Sequence, residues 1–247
     1  MKTVLFLGGN GHAPVRLEAA REALALRSHG FTIRDLAYPP AASFDELLNG
    51  LAVEAEGHDR GTLVYATGIG ALVGLALRAR GALLDRPLLL QGGVLWGLER
   101  RWFPRVMRVP PLPLLLAAAF RVGLVQRRFA RRHFVRRPPA ALLEGFFVGY
   151  RDARAFSAWF EWLGPALLRR LERELPGTPG ALDHLFAWWG RRDEVVGVDE
   201  VRVTEGALGI RVPLRTFPEW GHYPMIDDPQ GWVQEVGRAV ENPGALP

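Results

Sequence analysis

The sequence contains no cysteine, so disulfide bonds and thiolate metal sites are excluded. Hydroxyl nucleophiles are scarce too, because the chain has only three serines, Ser28, Ser43 and Ser157. No apolar run approaches the roughly 18 residues that a membrane-spanning helix needs. The best candidate, 109–120, is interrupted by three prolines, and the apolar stretch after Met1 is too short for a signal peptide. These absences favour a cytoplasmic protein.

Lysine is almost absent as well, since Lys2 is the only one and every other basic residue is arginine. This bias is typical of a GC-rich genome and weakly indicates a thermophile. What is present is the composition of an ordinary globular protein of 247 residues, 49 % hydrophobic and 23 % charged. That length suits one large α/β domain with an insertion. The net charge of +5 favours an anionic partner.

Six short apolar segments, bounded mainly by glycine, proline or polar residues, predict β-strands. They cover residues 2–7, 31–36, 61–66, 86–91, 185–189 and 212–217. Helices are predicted over residues 15–29, 44–56, 71–80 and 229–240. Alternating strands and helices predict an α/β fold with a mostly parallel, doubly wound sheet and helices on both faces.

The alternation stops between the fourth and fifth predicted strands. From about residue 96 to 176, helical segments, prolines, arginines and aromatics replace it. We therefore predict a helical cap over 96–176, inserted into a core of 1–95 and 177–247 at the strand ends, where open α/β sheets bind ligands. Its aromatic residues are expected mainly in the hydrophobic core: Phe146, Phe147, Tyr150, Phe156, Trp159, Phe160 and Trp162.

Three features follow predicted strands in a fixed order. The turn Ala66-Thr67-Gly68-Ile69-Gly70 follows the third strand, Asp193 follows the fifth, and His222 follows the sixth. A strand–turn–helix unit, then an acid, then a histidine is the chain order of the α/β-hydrolase fold. The sequence resembles that family over nearly its whole length, in particular its capped esterase and lyase-like branch. The alternative, a dinucleotide-binding turn, lacks the third glycine because Val73 stands there.

The resemblance implies that Gly68 occupies the position of the nucleophilic serine. Ala66 and Gly70 would be the small flanking residues that so sharp a turn requires. A shift by one residue would make Thr67 the nucleophile, but the residues flanking it would then be too bulky. Glycine offers no oxygen or sulfur for an acyl-enzyme, so the triad is predicted to be degenerate. Ser157, in the predicted cap, is the other serine considered as a replacement.

The resemblance also implies a base and an acid that orients it, His222 and Asp193. Such a pair can activate water directly. The non-catalytic alternatives are a surface histidine for His222 and, for Asp193, a loop carboxylate paired with a neighbouring arginine. Glu194 is a rival for the role of the acid.

By the same resemblance, backbone N–H groups form an oxyanion hole. The donors would be Ile69, directly after the nucleophile position, and a residue of the loop that contains Gly9 and Asn10. The positive end of the following helix adds to the same effect. Thr67 and His12 are expected beside the pocket.

Eleven arginines and no acidic residue lie between Arg100 and Arg137. A solvated face, an anionic-ligand pocket, an anionic membrane surface and a subunit contact remain open as interpretations. Nucleic acid is not expected, since no binding motif accompanies the charge. No cofactor or metal is predicted. The expected partner is a small molecule, anionic or apolar, with peripheral membrane contact and an oligomer left open.

Two functions from different classes remain. The first is a hydrolase or lyase in which His222 and Asp193 act on water or substrate without a covalent intermediate. The second is a non-catalytic protein that binds a small molecule or a partner on the same scaffold. Gly68 favours a protein that is inactive as an ordinary serine esterase. The fold alone does not establish an activity.

Overall fold

The computed structural model describes residues 2–8, 14–25 and 30–242. Within them, six parallel strands form a sheet in the order β2-β1-β3-β4-β5-β6. The strands are β1 (Lys2–Leu7), β2 (Phe31–Asp35), β3 (Leu63–Thr67), β4 (Leu88–Gln91), β5 (Leu185–Gly190) and β6 (Leu214–Phe217). The predicted α/β fold with a parallel sheet is confirmed, and each strand end lies within two residues of its predicted place.

Helices flank this sheet and fill the chain between β4 and β5. They are α1 (Pro14–Ala25), α2 (Phe44–Glu56), α3 (Ile69–Ala79), α4 (Trp102–Met107), α5 (Leu112–Ala119), α6 (Gly123–His133), α7 (Ala140–Val148), α8 (Ala153–Trp162), α9 (Pro165–Gly177), α10 (Asp199–Leu208), α11 (Pro224–Asp227) and α12 (Pro229–Glu241). Helix α3 begins two residues before its predicted start at residue 71, because Ile69 and Gly70 read as part of the turn. Helices α10 and α11 were not predicted.

The central strands are buried on both faces. Every residue of β3 and β4 is buried, which explains why both strands are continuous apolar runs rather than alternating ones. Strand β6 lies at the edge of the sheet and is partly exposed. There Arg215 donates two hydrogen bonds to Glu235 of α12, at 2.7 and 2.9 Å, so the edge strand is tied to the last helix.

The chain between β4 and β5 is described throughout and contains helices, turns and loops but no strand. We call residues 96–176 the cap segment. Four of its rings, Phe120, Phe129, Phe147 and Tyr150, have centroids 4.9 to 6.1 Å apart. Of the seven aromatics expected in the core, five are buried, Trp162 is half-buried, and the side chain of Phe156 lies outside the described part.

No helix within the described ranges combines the length and the apolar character needed to cross a bilayer. The start of α3 packs closely against the end of β1. A Cβ atom on Gly70 would lie 2.3 Å from the carbonyl oxygen of Leu7 and 2.5 Å from that of Gly8. Only glycine therefore fits at this position without moving backbone.

We expect Gly70→Ala to lower the free energy of unfolding by about 2 kcal/mol or more, since the methyl group must displace the backbone of β1. Chemical denaturation monitored by circular dichroism measures the change. The matched control is Gly206→Ala in α10, where a Cβ atom meets nothing within 4 Å. That control should be stabilised by about 0.5–1 kcal/mol. Equal effects of the two substitutions would contradict the packing described here.

Candidate functional site

A single residue, Gly68, joins β3 to α3. Its backbone angles, φ 58° and ψ −125°, lie in a region that residues with a side chain occupy only under strain. Its N–H donates to the carbonyl of Gln91 (3.3 Å), and its carbonyl accepts from the N–H of Val94 (2.9 Å). The sharp turn is thus held in place by the end of β4 and the loop that follows it.

A buried histidine and a buried aspartate lie at the ends of the neighbouring strands. His222 lies in the loop after β6, Asp193 follows β5, and their Nδ1 and Oδ2 atoms are 2.9 Å apart. The other oxygen of Asp193 accepts hydrogen bonds from the N–H groups of Val195 (2.9 Å) and Val196 (2.8 Å). With Nδ1–H donated to the carboxylate, the neutral imidazole keeps its lone pair on Nε2.

Glu194, the alternative candidate for the acid, is placed differently from Asp193. Glu194 is exposed and lines the cavity described below, whereas Asp193 is buried and bonded to the histidine. Gly92, which directly follows β4, packs on the pair. Its φ is +50°, and a Cβ atom added at this position would lie 3.0 Å from Asp193 Oδ2 and 3.2 Å from His222 Nδ1. A side chain at position 92 would therefore press on both groups.

A cavity of about 680 Å³ lies between the strand ends and the cap segment. Gly68, Ile69 and His222 line it from the core side. Aromatic and aliphatic side chains line it from the cap side, among them Trp102, Phe103, Leu116, Phe120, Phe129 and Phe160. A cavity of this volume and apolar character suits one small organic molecule.

The predicted oxyanion donors are only partly within the described residues. Ile69 lines the cavity in the first turn of α3, where backbone N–H groups have no acceptor within the helix and the helix dipole is positive. Gly9, Asn10 and His12 lie outside the described residues. Thr67 is buried, is not among the residues lining the cavity, and donates its hydroxyl to Gln91 Oε1 at 2.9 Å.

A second histidine in the cavity wall escaped the sequence analysis. His133, at the end of α6, lines the cavity, and its ring centroid is 6.0 Å from that of His222. Its Nδ1 lies 2.8 Å from the carbonyl oxygen of Phe129, so that nitrogen carries the proton in the neutral ring. Within a run of arginines, no sequence pattern distinguished this histidine from its neighbours.

A buried carboxylate, Asp227, connects the histidine loop to the cap segment. One oxygen accepts from the N–H groups of Val135 (2.9 Å) and Arg136 (3.4 Å), and the other from the N–H of Gly221 (3.1 Å). Burial raises its pKa to about 6, against the lowering effect of these hydrogen bonds, and the charge of Asp193 raises it further. The sequence identified Asp227 only as part of the run leading into the last helix.

The arrangement can support proton transfer. In the part of the chain that the structure describes, no three His, Asp or Glu side chains form a cluster suited to a metal ion. His222 Nε2, oriented by Asp193, can act as a base beside the positive end of α3.

The fold described above agrees with the comparisons with known proteins. The model of the alpha/beta hydrolase family matches residues 4–235, and the protein belongs to this family. A search of curated proteins found no match.

Solved structures of hydrolases share the fold at low identity. A membrane phospholipase A, described as a bacterial virulence factor, is 21 % identical (TM-score 0.62, covering 99 % of this chain and 80 % of the other). A haloalkane dehalogenase loop variant from Bradyrhizobium elkanii is 15 % identical (TM-score 0.68, 99 % and 90 %). A carboxylesterase from Nitrososphaera gargenis is 15 % identical (TM-score 0.58, 95 % and 88 %).

We expect the stability difference between the wild type and Asp227→Asn to depend on pH. The ordinary pKa of aspartate, 3.8, is raised to about 6 in the fold, so the folded protein keeps a proton that the unfolded chain has released. The contribution of Asp227 is therefore complete below about pH 4 and is lost as the pH rises through about 6.

Denaturation at a series of pH values measures this difference. The wild type should lose about 2 kcal/mol relative to the variant between pH 4 and pH 7, because each pKa unit corresponds to 1.36 kcal/mol and the unfolded carboxyl is already partly ionised at pH 4. A wild-type stability that rises with pH relative to that of the variant would contradict the raised pKa of Asp227. Titration of the Asp227 carboxyl by NMR gives an independent check.

Proposed function

We propose that the protein binds an apolar small molecule in the cavity beneath the cap segment and does not use covalent serine-esterase chemistry. In this proposal His222, oriented by Asp193, acts as a general base directly on water or on the bound molecule. The observation that carries the proposal is Gly68, which lies at the sharp turn before α3 and lines the same cavity as His222. The family places a nucleophile at such a turn, and a glycine has none.

The residues around the cavity support this interpretation. None of the described residues that line it is a serine, threonine or cysteine, and Ser157 is not among them. The buried Glu200 does line it, but one of its oxygens accepts from the N–H groups of Leu95 and Gly97 and the other pairs with Arg101. Its carboxylate is thus committed to structure.

Without an acyl-enzyme, hydrolysis would need no covalent enzyme intermediate. His222 would remove a proton from water as the water attacks the carbonyl carbon, and the N–H groups at the start of α3 would stabilise the developing oxyanion. The tetrahedral intermediate would then break its bond to the alcohol oxygen, and the departing alcohol would take the proton from His222. A positioned base typically contributes about 10²- to 10⁴-fold. We therefore propose an activity well below that of a serine esterase, with linear product release from the first turnover.

The second candidate is a binding protein without turnover. The apolar, aromatic lining of the cavity favours it, because such a lining holds a ligand through burial alone. The two candidates share the cavity and differ only in whether His222 moves a proton.

A fluorophosphonate probe, which labels activated serines, tests the missing nucleophile. Wild type and Gly68→Ala should remain unlabelled, whereas Gly68→Ser should be labelled, and additional His222→Ala should remove that labelling. Gly68→Ala is the matched control, since both substitutions impose about 1–3 kcal/mol of backbone strain at positive φ but only serine adds an oxygen.

Stopped-flow hydrolysis of p-nitrophenyl esters separates the two candidates. Slow, linear release that His222→Ala abolishes supports the general-base reaction, and no release at any acyl length supports the binding protein. Labelling of the wild type, or a burst equal to the protein concentration, would overturn the proposal, because both require a covalent nucleophile.

A further inference from the structure

The cap segment exposes large apolar side chains to solvent. Ten large hydrophobic residues are exposed in the described part of the chain, and seven of them lie between residues 102 and 148. We call these seven the cap patch: Trp102, Val109, Leu114, Leu115, Val122, Leu124 and Val148. Their exposed fractions run from 51 % to 77 %. Concentrated exposure of this kind marks an interaction surface rather than chance.

The exposure of the cap patch does not result from poor packing of the core. Helices α4, α5 and α6 already pack inward through Phe103, Phe120 and Phe129, whose ring contacts are 4.9 and 6.3 Å between centroids. On α5 the inward residue Ala117 is buried, while Leu114 and Leu115 are 62 % and 60 % exposed. Helix α5 is therefore apolar on two sides, and only one side is packed within the protein.

Positive charge surrounds the cap patch. From residue 100 to 143 the sequence contains no aspartate or glutamate. Nine arginines of this stretch are exposed: Arg100, Arg105, Arg121, Arg127, Arg128, Arg131, Arg132, Arg136 and Arg137. Arg121 and Arg151 line one surface depression together with Leu114 and Val148, and one acidic residue, Asp152, lines it too, so charge and apolar surface are interleaved with an excess of arginine.

We propose that the cap patch docks on an anionic lipid bilayer, with its apolar side chains in the interfacial region and its arginines at the lipid phosphates. Exposed apolar residues combined with arginines are what peripheral binding to anionic membranes requires, because neither signal alone anchors a protein stably. The proposal is independent of whether His222 performs catalysis.

The position of the cavity links this surface to the binding site. Trp102 belongs to the cap patch and also lines the cavity, and Leu116 of α5 lines it beside the exposed Leu115. The cavity is therefore walled by the helices that would lie on the lipid. An apolar molecule dissolved in the bilayer could reach it without crossing water.

Two other partners fit the surface less well. A second copy of this chain, paired through the same patch, would bring nine exposed arginines against their symmetry mates, with only Glu144 and Asp152 near Val148 to offset them. A nucleic acid would satisfy the arginines but would leave exposed leucines such as Leu115 and Leu124 without a role.

Flotation of the full chain with vesicles tests the proposal. We expect binding to phosphatidylcholine vesicles containing 30 % phosphatidylglycerol, weakened at high salt, and little binding to phosphatidylcholine alone. The double variant Arg127→Gln/Arg128→Gln should bind about 25-fold more weakly, and Leu115→Gln/Leu124→Gln at least tenfold more weakly. Neither pair lines the cavity.

Fluorescence gives a second and more local readout. Among the eight tryptophans, Trp102 is exposed and the others are buried or half-buried. Brominated lipids should therefore quench a fraction of the emission that is missing in Trp102→Phe. Tryptophan favours the membrane interface, which places this side chain at the expected depth.

The matched control is Val53→Gln/Arg202→Gln, which removes an exposed valine of α2 and an exposed arginine of α10 and should bind as the wild type does. Three results would overturn the proposal: no binding to anionic vesicles, equal weakening in this control, or self-association that the cap-patch substitutions abolish. The last would identify a second copy as the partner.

Discussion

Three backbone segments meet at the carboxyl edge of the sheet at distances that leave no room for a Cβ atom. Gly70 lies against the carbonyl of Leu7, and a Cβ atom on Gly190 would lie 2.1 Å from the carbonyl of Trp220. A Cβ atom on Gly92 would lie against the side chains of the histidine and the aspartate themselves. Because the contacts at Gly70 and Gly190 are with backbone, the turn before α3, the end of β5 and the histidine loop are positioned by the main chain and not by adaptable side chains.

The parts of this arrangement that local patterns encode could be predicted from the sequence. Buried strands such as β3 and β4 are short apolar runs, and His222 and Asp193 follow strands in an order that only a few folds share. Helix α10 was missed although its acidic first turn is typical of a helix start, because Gly197 just before it and Gly206 within it resemble a loop.

The parts of the site that depend on tertiary contacts could not be predicted. His133 and Asp227 are far apart in the sequence from the residues they approach, and nothing in their immediate neighbours marks them. Asp227 accepts hydrogen bonds from residues 135 and 136, across 92 and 91 positions of the chain. Single-sequence periodicity reports which face of a helix is apolar, but not which distant backbone a buried carboxylate will meet.

The cap segment and the core divide the site between them. The core supplies rigid, polar elements at the strand ends: a sharp turn, the start of a helix, and a buried histidine with its aspartate. The cap segment supplies apolar volume and the second histidine. Two core carboxylates tie the two together: Glu200 binds Gly97 and Arg101, and Asp227 binds Val135 while also accepting from Gly221 of the histidine loop. The hydrogen bonds of Asp227 therefore link the position of the cap segment to the loop that bears His222.

The backbone of Gly68 has a thermodynamic consequence of its own. A residue with a side chain would hold these angles at an expense of about 1–3 kcal/mol, which enzymes commonly store at their reacting centres. Glycine adopts them almost freely, although it gives the unfolded chain more conformational entropy. The turn therefore keeps the shape of a strained junction while releasing the strain. Glycine at this turn has no side chain that could react and also relaxes the fold, which under the proposed function is a local exchange of reactivity for stability.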